Sequence, residues 1–309
     1  PAQEIARRVS PRVLFVSTEA QWQKLAPVAE ELARGGLRAV LSTAPLPGVP
    51  AGVSALTVAA ALAEAALDPE GFAARARAVA ETDPFLLLFT SGTTGRQKGV
   101  RLNQRAIVSA IDGGAYVTGT DEHDVGLHLL PFGHIAGHDQ YSLALAQGHG
   151  LIMVARRDDI PRGLALGPSY VFSVPLIYER IRHQVVERID RLPALLRWLL
   201  RAAVASAGRV AVDGATGPVT RLLALLARAT VRKKLMAALG GRVRALFAGG
   251  APVSEPLFRF FEGLGVPLVE MYGMTETAGL IALNQVAEPR RPRCAGRISP
   301  DHDVRIAED

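Results

Sequence analysis

Ten consecutive residues, 90–99, have the side chains and the backbone freedom that bind phosphate. They read Thr-Ser-Gly-Thr-Thr-Gly-Arg-Gln-Lys-Gly and follow the apolar run 85–89. Glycines let backbone N–H groups approach an anion, while hydroxyls add donors and a lysine adds positive charge. The run therefore predicts a phosphate-binding loop, and the alternative is a flexible hairpin tip. The candidate phosphate ligands are Thr90, Ser91, Gly92, Thr93, Thr94, Gly95 and Lys98.

The residues after this loop distinguish it from a Walker loop, in which the lysine opens a helix. Lys98 is followed by Gly-Val-Arg-Leu, which predicts a second strand. The loop is therefore expected to join two strands and to lie over a bound phosphate chain as a flap.

A second polar segment, residues 270–277, reads Glu-Met-Tyr-Gly-Met-Thr-Glu-Thr at the end of a predicted strand. Tyr272 has a ring that can stack on a base, and Thr275 has a hydroxyl that can bond phosphate. One carboxylate together with phosphate oxygens is a usual ligand set for Mg²⁺, which makes Glu276 the candidate metal ligand. The alternative is a polar surface loop.

A third segment, residues 247–254, reads Phe-Ala-Gly-Gly-Ala-Pro-Val-Ser and ends a predicted strand in a Gly-Gly turn before a helix. At the carboxyl edge of an open α/β sheet, such a turn forms a ligand crevice. Its small residues would let a flat ring lie against the backbone. The alternative is an ordinary strand–turn–helix junction.

The elements that must position these segments alternate between strand and helix. A strand at 12–17, a helix at 19–34 and a strand at 37–42 form a first β-α-β unit, which predicts an α/β fold of doubly wound, mostly parallel sheets flanked by helices. Asn103 is expected to cap a helix that reaches residue 117. After Gly279 the pattern changes to short β segments. Further strands are predicted at 125–130, 151–155, 170–174, 243–248 and 267–271. Helices are predicted at 58–80 with a break near Asp68-Pro69, at 135–146, from 175, at 192–207 and 220–239, and at 254–264, where Ser254 is the expected cap.

Charge is concentrated in one region of the chain, which carries a net charge of +6 overall. Residues 180–244 contain fourteen lysines and arginines against three acidic residues, so the remainder is net acidic. This basic helical block suits a membrane surface, an acidic carrier protein or a phosphorylated cofactor, and the alternative is a solvated arginine-rich face. Nucleic acid is disfavoured, because Trp198 is the only aromatic residue in the block.

The amino-acid composition indicates the broad class of protein and the cellular compartment. Hydrophobic residues make up 49% of the 309, which is typical of a folded globular protein. Cys294 is the single cysteine, so no internal disulfide and no cysteine-based metal site is expected. A reducing, cytoplasmic setting with possible membrane association is the expectation.

The three motifs, in this order and each at a predicted strand end, resemble the core of the adenylate-forming (acyl-activating, AMP-binding) enzyme superfamily. They read Thr-Ser-Gly-Thr-Thr-Gly, Gly-Gly-Ala-Pro and Tyr-Gly-Met-Thr-Glu-Thr. Gln97 stands where this family's loop usually has proline, which removes stiffness but no charge or donor. The segment Leu-Leu-Pro-Phe-Gly-His-Ile-Ala-Gly at 129–137 is also similar to the family's Pro-x-x-His segment, which implies that His134 lines an acyl pocket. The alternative is a histidine satisfied in a helix cap.

The resemblance covers residues 12–306 and is greatest to the long-chain fatty acyl-CoA synthetase branch, on residues 174–181 and 240–247. It implies part of a large N-terminal adenylation domain, with a first α/β portion at 1–174, a basic helical insertion at 175–242 and a second α/β portion at 243–309. Because residues 295–306 resemble the stretch before the family's ribose-binding aspartate, we expect that aspartate and the C-terminal lid domain with its lysine to be missing from this sequence.

The resemblance also implies a reaction and a set of residues. A fatty acid would be activated by ATP and Mg²⁺ to acyl-adenylate and then transferred to coenzyme A. Lys98, Thr275, Glu276 and His134 would act on the reacting groups, with Glu276 on the metal. The phosphate-loop residues, together with Gly250, Ala251, Pro252, Glu270, Met271, Tyr272, Gly273 and Thr275, would bind the nucleotide, and His134, Gly249 and Gly279 would line the acyl pocket.

Three other interpretations stay open at this point. The acyl group would pass to an acyl-carrier protein in one, and in another the chain would be a non-catalytic nucleotide- or acyl-binding remnant. In the third, the basic block 180–244 would make the protein a membrane-surface adaptor. A homodimer is a common default for such proteins.

Overall fold

The computed structural model describes residues 2–66, 68–90, 97–300 and 302–307. The chain divides into two compact units, residues 1–79 and residues 80–309, and each unit is described by itself. The sequence-based division at residues 174 and 242 stays a prediction.

The first unit contains a three-stranded parallel sheet with Trp22 at the centre of its core. Trp22 is fully buried, and its Nε1 donates a hydrogen bond to the Pro47 carbonyl at 2.9 Å. The predicted β-α-β unit is confirmed, although a 3-10 turn at Ala26–Val28 interrupts its helix. The elements are α1 (Ala2–Val9), β1 (Val13–Val16), α2 (Glu19–Leu25), α3 (Ala29–Arg34), β2 (Ala39–Ser42), β3 (Ser54–Thr57), α4 (Val58–Glu64) and α5 (Pro69–Arg77).

The second unit is built on a seven-stranded sheet. Its strands are β6 (Val125–His128), β7 (Gly150–Met153), β8 (Tyr170–Ser173), β9 (Ala245–Ala248), β10 (Leu268–Met274), β11 (Gly279–Leu283) and β12 (Arg297–Ile298). The spatial order is β12-β11-β10-β9-β8-β6-β7. The pairs from β7 to β10 are parallel, and β11 and β12 add antiparallel pairs, so the predicted mostly parallel sheet is confirmed. The carboxyl ends of five parallel strands therefore meet at one edge.

An antiparallel hairpin precedes this sheet in the chain. It consists of β4 (Pro84–Thr90) and β5 (Lys98–Asn103), with Thr90 opposite Lys98. This pairing confirms that the phosphate loop joins two strands. Residues 91–96 of the loop, which include Ser91, Gly92, Thr93, Thr94 and Gly95, lie outside the described residues.

Helices flank the sheet, and local signals fix several of their starts. Asn103 Oδ1 accepts a hydrogen bond from the Ala106 N–H at 2.9 Å, and Ser254 Oγ accepts one from the Leu257 N–H at 3.3 Å. The helix predicted at 220–239 is continuous, with a π-helical turn at Arg228–Arg232. The helices are α6 (Gln104–Thr118), α7 (Ile135–Gln147), α8 (Ile160–Ala165), α9 (Pro175–Asp190), α10 (Ala194–Asp213), α11 (Pro218–Ala227), α12 (Lys233–Ala238) and α13 (Glu255–Gly263).

The basic helical block supplies much of the main core of the second unit. Apolar residues of α9 to α13 pack together with strands β6, β8, β9 and β10 in one cluster. The buried Tyr178 hydroxyl lies within hydrogen-bond distance of the Val171 and Phe247 carbonyls, at 2.9 and 2.8 Å. Within the described residues, no single helix has the length and apolarity of a membrane span, while the bent pair Ala194–Asp213 and Pro218–Ala238 meets both criteria together.

Candidate active site

A cavity of about 380 Å³ lies at the carboxyl ends of the parallel strands in the second unit. Four elements form most of its wall: helix α6, the start of α7, the turn after β9 and the end of β10. The wall contains Ala110, Gly114, Thr118, Leu130, His134, Ile135, Ala136, Asp139, Gln140, Leu143, Tyr170, Phe172, Val174, Phe247, Gly249, Gly250, Met271, Tyr272, Gly273, Met274, Thr275, Gly279 and Leu280. Eight of the site residues predicted from the sequence are among them: His134, Gly249, Gly250, Met271, Tyr272, Gly273, Thr275 and Gly279.

The Gly-Gly turn after β9 presents its backbone to this cavity. Gly250 has a φ of +80°, a left-handed conformation that favours glycine. Glu270 on the neighbouring strand β10 is buried, and its Oε1 accepts a hydrogen bond from the Val253 N–H at 3.0 Å. This hydrogen bond from a buried carboxylate therefore stabilises the chain just after the Gly-Gly turn. Ala251 and Pro252 are exposed and lie outside the cavity wall.

The end of β10 bends because its pairing with β11 is irregular between Tyr272 and Gly273. A Cβ on Gly273 would overlap with the Gly279 carbonyl, so this close approach of two backbones requires glycine. A 3-10 turn, Thr275–Thr277, follows and ends at Ala278, which has a φ of +56°. Tyr272 and Thr275 face the cavity, and Glu276 is exposed on the turn.

The β4–β5 hairpin, which we call the phosphate hairpin after the loop predicted between its strands, lies against this same turn. Leu88 of β4 and Leu102 of β5 pack with Ile135 and Ala278 in one apolar cluster. Ile135 directly follows His134, and Ala278 directly follows the Thr275–Thr277 turn. One small core therefore brings the hairpin with its exposed Lys98, the threonine–glutamate turn and the histidine close to one another.

His134 precedes helix α7 at its N-cap position but does not cap it. Its backbone is extended, with φ −122° and ψ 144°, and its side chain makes no capping hydrogen bond. The residue is exposed and part of the cavity wall. The helix-cap alternative considered from the sequence is therefore not observed, and the imidazole is available to a ligand.

The donor set near the hairpin fits a magnesium ion bound with phosphate. Among the described residues, no group of three or more His, Cys, Asp and Glu side chains is arranged as a metal site. Mg²⁺ commonly keeps waters and takes one or two carboxylates together with substrate phosphates. Glu276 offers one exposed carboxylate next to the phosphate hairpin, so the chemistry agrees with its assignment.

Several cavity residues were missed by the sequence analysis. Ala110, Gly114 and Thr118 line the cavity from α6, and their i, i+4 spacing was a usable signal for one small-residue helix face. Asp139 contributes a carboxyl group from α7, and burial raises its pKa to about 8. Tyr170 contributes from β8, and burial raises its pKa to about 12.

A polar network lies at one end of the cavity, around Gln140 and Tyr170. Gln140 Nε2 donates to the Leu127 carbonyl at 3.1 Å, and its Oε1 lies 3.1 Å from His128 Nδ1. The Tyr170 hydroxyl lies 2.8 Å from His149 Nε2. Burial lowers the pKa of both histidines, so neutral imidazoles are favoured there.

A family model for the AMP-binding enzyme matches residues 2–309, and the chain belongs to this family. Long-chain-fatty-acid–CoA ligase FadD15 of Mycobacterium bovis is 32% identical over 254 residues, which cover 80% of this chain and 42% of that protein. Long-chain-fatty-acid–CoA ligase heimdall of Drosophila melanogaster is 30% identical over 229 residues, covering 70% of this chain and 33% of that protein.

The fold agrees with this membership. The A-PCP didomain of carboxylic acid reductase from Segniliparus rugosus, solved in complex with AMP, superposes with a TM-score of 0.62 at 23% identity, covering 91% of this chain and 38% of that chain. This likeness concerns the fold alone. The chain spans less than half the length of the curated relatives described above, 42% and 33%.

Proposed function

We propose that this chain is the nucleotide- and acyl-binding part of an enzyme that activates a long-chain fatty acid with ATP and transfers it to coenzyme A. The observation that carries the proposal is the cavity itself. Its wall joins the Gly249–Gly250 turn, Tyr272 and Thr275 on one side to His134 and an apolar region on the other. A nucleotide and an acid can therefore meet in one enclosed space.

The reaction has two steps. A carboxylate oxygen of the acid attacks the α-phosphorus of ATP, and the bond from that phosphorus to the oxygen of the leaving pyrophosphate breaks. The thiolate sulfur of coenzyme A then attacks the acyl carbon, and the bond to the AMP oxygen breaks. Both steps require positioning and neutralisation of charge more than covalent participation by the protein.

The roles proposed for His134 and Thr275 are supported by their place in the cavity wall. Those proposed for the hairpin residues and for Glu276 are supported by the contact between strand β5 and the Thr275–Thr277 turn. Lys98 and the hydroxyls of the phosphate loop, including Thr90, would bind the leaving phosphates. Thr275 would donate a hydrogen bond to the α-phosphate, and Glu276 would hold the magnesium ion. When bound, Mg²⁺ neutralises negative charge that accumulates on phosphate oxygens. His134 would orient the reacting carboxylate.

The nucleotide base would lie between the turn after β9 and the ring of Tyr272. Gly249 and Gly250 present backbone rather than side chains there, which allows a flat ring to approach closely. Met271 and Gly273 border the same region. The acyl chain would extend toward Leu143, Phe172 and Leu280, where the wall is apolar.

Coenzyme A is the proposed acceptor because the relatives that match this chain are named as CoA ligases. An acyl-carrier protein is the alternative acceptor. Supplying either thiol to the full protein that its gene encodes, and isolating the thioester formed, separates the two. Formation on the carrier alone would overturn the assignment of coenzyme A.

Peripheral contact with a membrane is part of the proposal. Helix α11 leaves a row of large apolar side chains exposed at Val219, Leu222 and Leu225, and we refer to these three residues as the α11 outer face. Arg221 is exposed on the same helix, and Arg228 is exposed at the start of the π-helical turn that follows it. Apolar side chains flanked by arginines are typical of helices that lie in the interface of an anionic bilayer.

The proposed activity is tested by pyrophosphate release from the full encoded protein. Hexadecanoic acid with ATP and Mg²⁺ should stimulate release, and omission of either the acid or the metal should abolish the stimulation. Release that does not depend on the acid would contradict the proposed activity and favour the nucleotide-binding alternative.

A further inference from the structure

The carboxyl group of Asp139 lies in the cavity wall without a partner. Asp139 belongs to helix α7, and within the described residues its Oδ1 is excluded from solvent and has no hydrogen-bond partner. Buried polar atoms are almost always paired in folded proteins, and leaving one unpaired costs free energy. Because the carboxyl group belongs to the wall of a ligand cavity, a bound ligand is the group that can supply the partner.

Among the described residues, no cationic side chain in the cavity wall would neutralise a carboxylate at Asp139. The cavity wall contains no lysine or arginine among the described residues, and its other titratable side chains are His134, Tyr170 and Tyr272. Gly279 lies against the carboxyl group on one side, because a Cβ at that position would overlap with Oδ2. A protonated carboxyl group is the form that such a site accommodates.

A protonated carboxyl group both donates and accepts a hydrogen bond. A neutral hydroxyl can complete both bonds at once, since it too donates and accepts. An ammonium group would instead require an ionised carboxylate, and both charges would lose their hydration in a largely apolar cavity. The geometry therefore favours a neutral hydroxyl over a cation as the partner of Asp139.

We propose that Asp139 is a specificity-determining residue, and that the preferred substrate is a fatty acid with a hydroxyl group on its chain. This inference rests on the proposed function, because it assigns the acyl chain to this cavity. The hydroxyl pairs with the Asp139 carboxyl group, while the remaining methylenes contact apolar residues such as Leu143 and Phe172. An unsubstituted chain leaves the carboxyl group unpaired and binds less tightly.

The test measures binding by calorimetry with the full encoded protein. The ligands are hexadecanoic acid, a series of monohydroxyhexadecanoic acids that differ in hydroxyl position, and a 12-aminododecanoic acid probe with dodecanoic acid as its reference. At least one hydroxy isomer should bind about 10-fold more tightly than hexadecanoic acid, as one completed buried hydrogen bond predicts.

Two variants separate the role of the carboxyl group from its shape. Asp139→Asn keeps a donor and an acceptor and should retain the preference for the hydroxy acid. Asp139→Leu keeps the branched shape without polar atoms, and it should lose the preference and bind hexadecanoic acid more tightly. Asp112→Asn is the matched control, because Asp112 is exposed on helix α6. It should bind each acid as the wild type does.

Three results would overturn the inference. They are equal binding of all the C16 acids, a preference for the hydroxy acid that survives in Asp139→Leu, and tighter binding of 12-aminododecanoic acid than of dodecanoic acid. Pyrophosphate release with hexadecanoic acid separates this failure from failure of the proposed function. Release that is equal for plain and hydroxy acids rejects the Asp139 inference alone. Release with none of the acids rejects both.

Discussion

Asp139 Oδ2 occupies the space in which a Cβ at position 279 would lie, so a side chain at Gly279 requires the aspartate to move. A Cβ at Gly279 would overlap with Asp139 Oδ2, and Gly279 has a φ of +102°. The backbone at the start of β11 therefore packs directly against the carboxyl group that α7 contributes. This contact connects the end of the Thr275–Thr277 turn to the part of the cavity wall that helix α7 forms.

Replacing Gly279 by alanine tests this contact. Gly279→Ala should lower the free energy of unfolding by about 1–3 kcal/mol more than Gly241→Ala does. Gly241 is the matched control, since it has a φ of +80° in the same unit but open space around its Cα. Denaturant unfolding measures both variants.

A second substitution removes the overlapping atom. Asp139→Ala in the Gly279→Ala background should recover most of the additional loss in unfolding free energy. The effects of substituting two residues that share a contact are not additive. Additive effects of the two substitutions would show that Oδ2 is not the group that excludes a side chain at position 279.

The pH dependence of stability provides a second prediction. Burial raises the pKa of Asp139 to about 8 from its ordinary value of 3.8. Between these values the folded state holds a proton that the unfolded state releases, so this residue contributes stability at low pH that is lost as the pH rises toward 8. Asp139→Asn removes the titration.

The measurement is the difference in unfolding free energy between the variant and the wild type at several pH values. The unfolding free energy of the variant should increase relative to that of the wild type from pH 4 to pH 8. Above pH 8 the difference between the two proteins should stay constant. The shifted pKa values of His128 and Tyr170 are common to both proteins, so their contributions largely cancel. A difference that stays constant with pH would mean that Asp139 ionises freely in the folded protein.

Sequence alone predicted the parts of the site that depend on local chemistry. Asn103 and Ser254 cap their helices as expected, and the Gly249–Gly250 turn lies at a strand end, because caps and turns are determined within a few residues. Asp139 and Tyr170 were not predicted as cavity residues. Their positions depend on which strands and helices become neighbours, and an amphipathic pattern on one element contains no information about that arrangement.

Two secondary-structure elements differ from the prediction, a strand that was missed and a helix that is interrupted. Strand β3, Ser54–Thr57, is short and follows a proline-rich loop, so no alternating pattern indicated it. The helix predicted at 19–34 contains Pro27, which lacks an N–H and leaves a 3-10 turn in the middle. The strand was missed because its pairing partner, β2, is fixed by the fold and not by the local sequence.

Glu276 is expected to be essential to activity if it holds the magnesium ion. Glu276→Ala should abolish acid-dependent pyrophosphate release in the full encoded protein, at a cost of several kcal/mol in transition-state stabilisation. The matched control is Glu122→Ala, since Glu122 is exposed in a loop away from the cavity wall. It should keep wild-type release.

Magnesium titration distinguishes loss of the ligand from loss of the fold. Glu276→Ala should melt at the wild-type temperature, because the side chain is exposed on its turn, while any residual activity should need a higher magnesium concentration. Near-normal release at the wild-type magnesium requirement would remove Glu276 from the metal site.

The α11 outer face makes the last prediction, which concerns membranes. Leu222 and Leu225 have exposed fractions of 68% and 62%, and Arg221 is exposed on the same helix. The wild type should sediment with vesicles that contain anionic lipid, and Leu222→Glu with Leu225→Glu should weaken that binding by about 10-fold or more, since each leucine loses a favourable apolar transfer. Leu145→Glu is the control, because Leu145 is equally exposed on α7, at 67%, and shares the second unit.

Salt separates the two contributions to this binding. The part due to arginines should fall as ionic strength rises, because exposed charges are screened beyond about 8–10 Å at physiological salt. The part due to the two leucines should persist in high salt. The double variant should therefore dissociate completely from the vesicles in high salt, while a fraction of the wild type stays bound. Equal loss in the double variant and in Leu145→Glu would mean that the α11 outer face does not contact the bilayer.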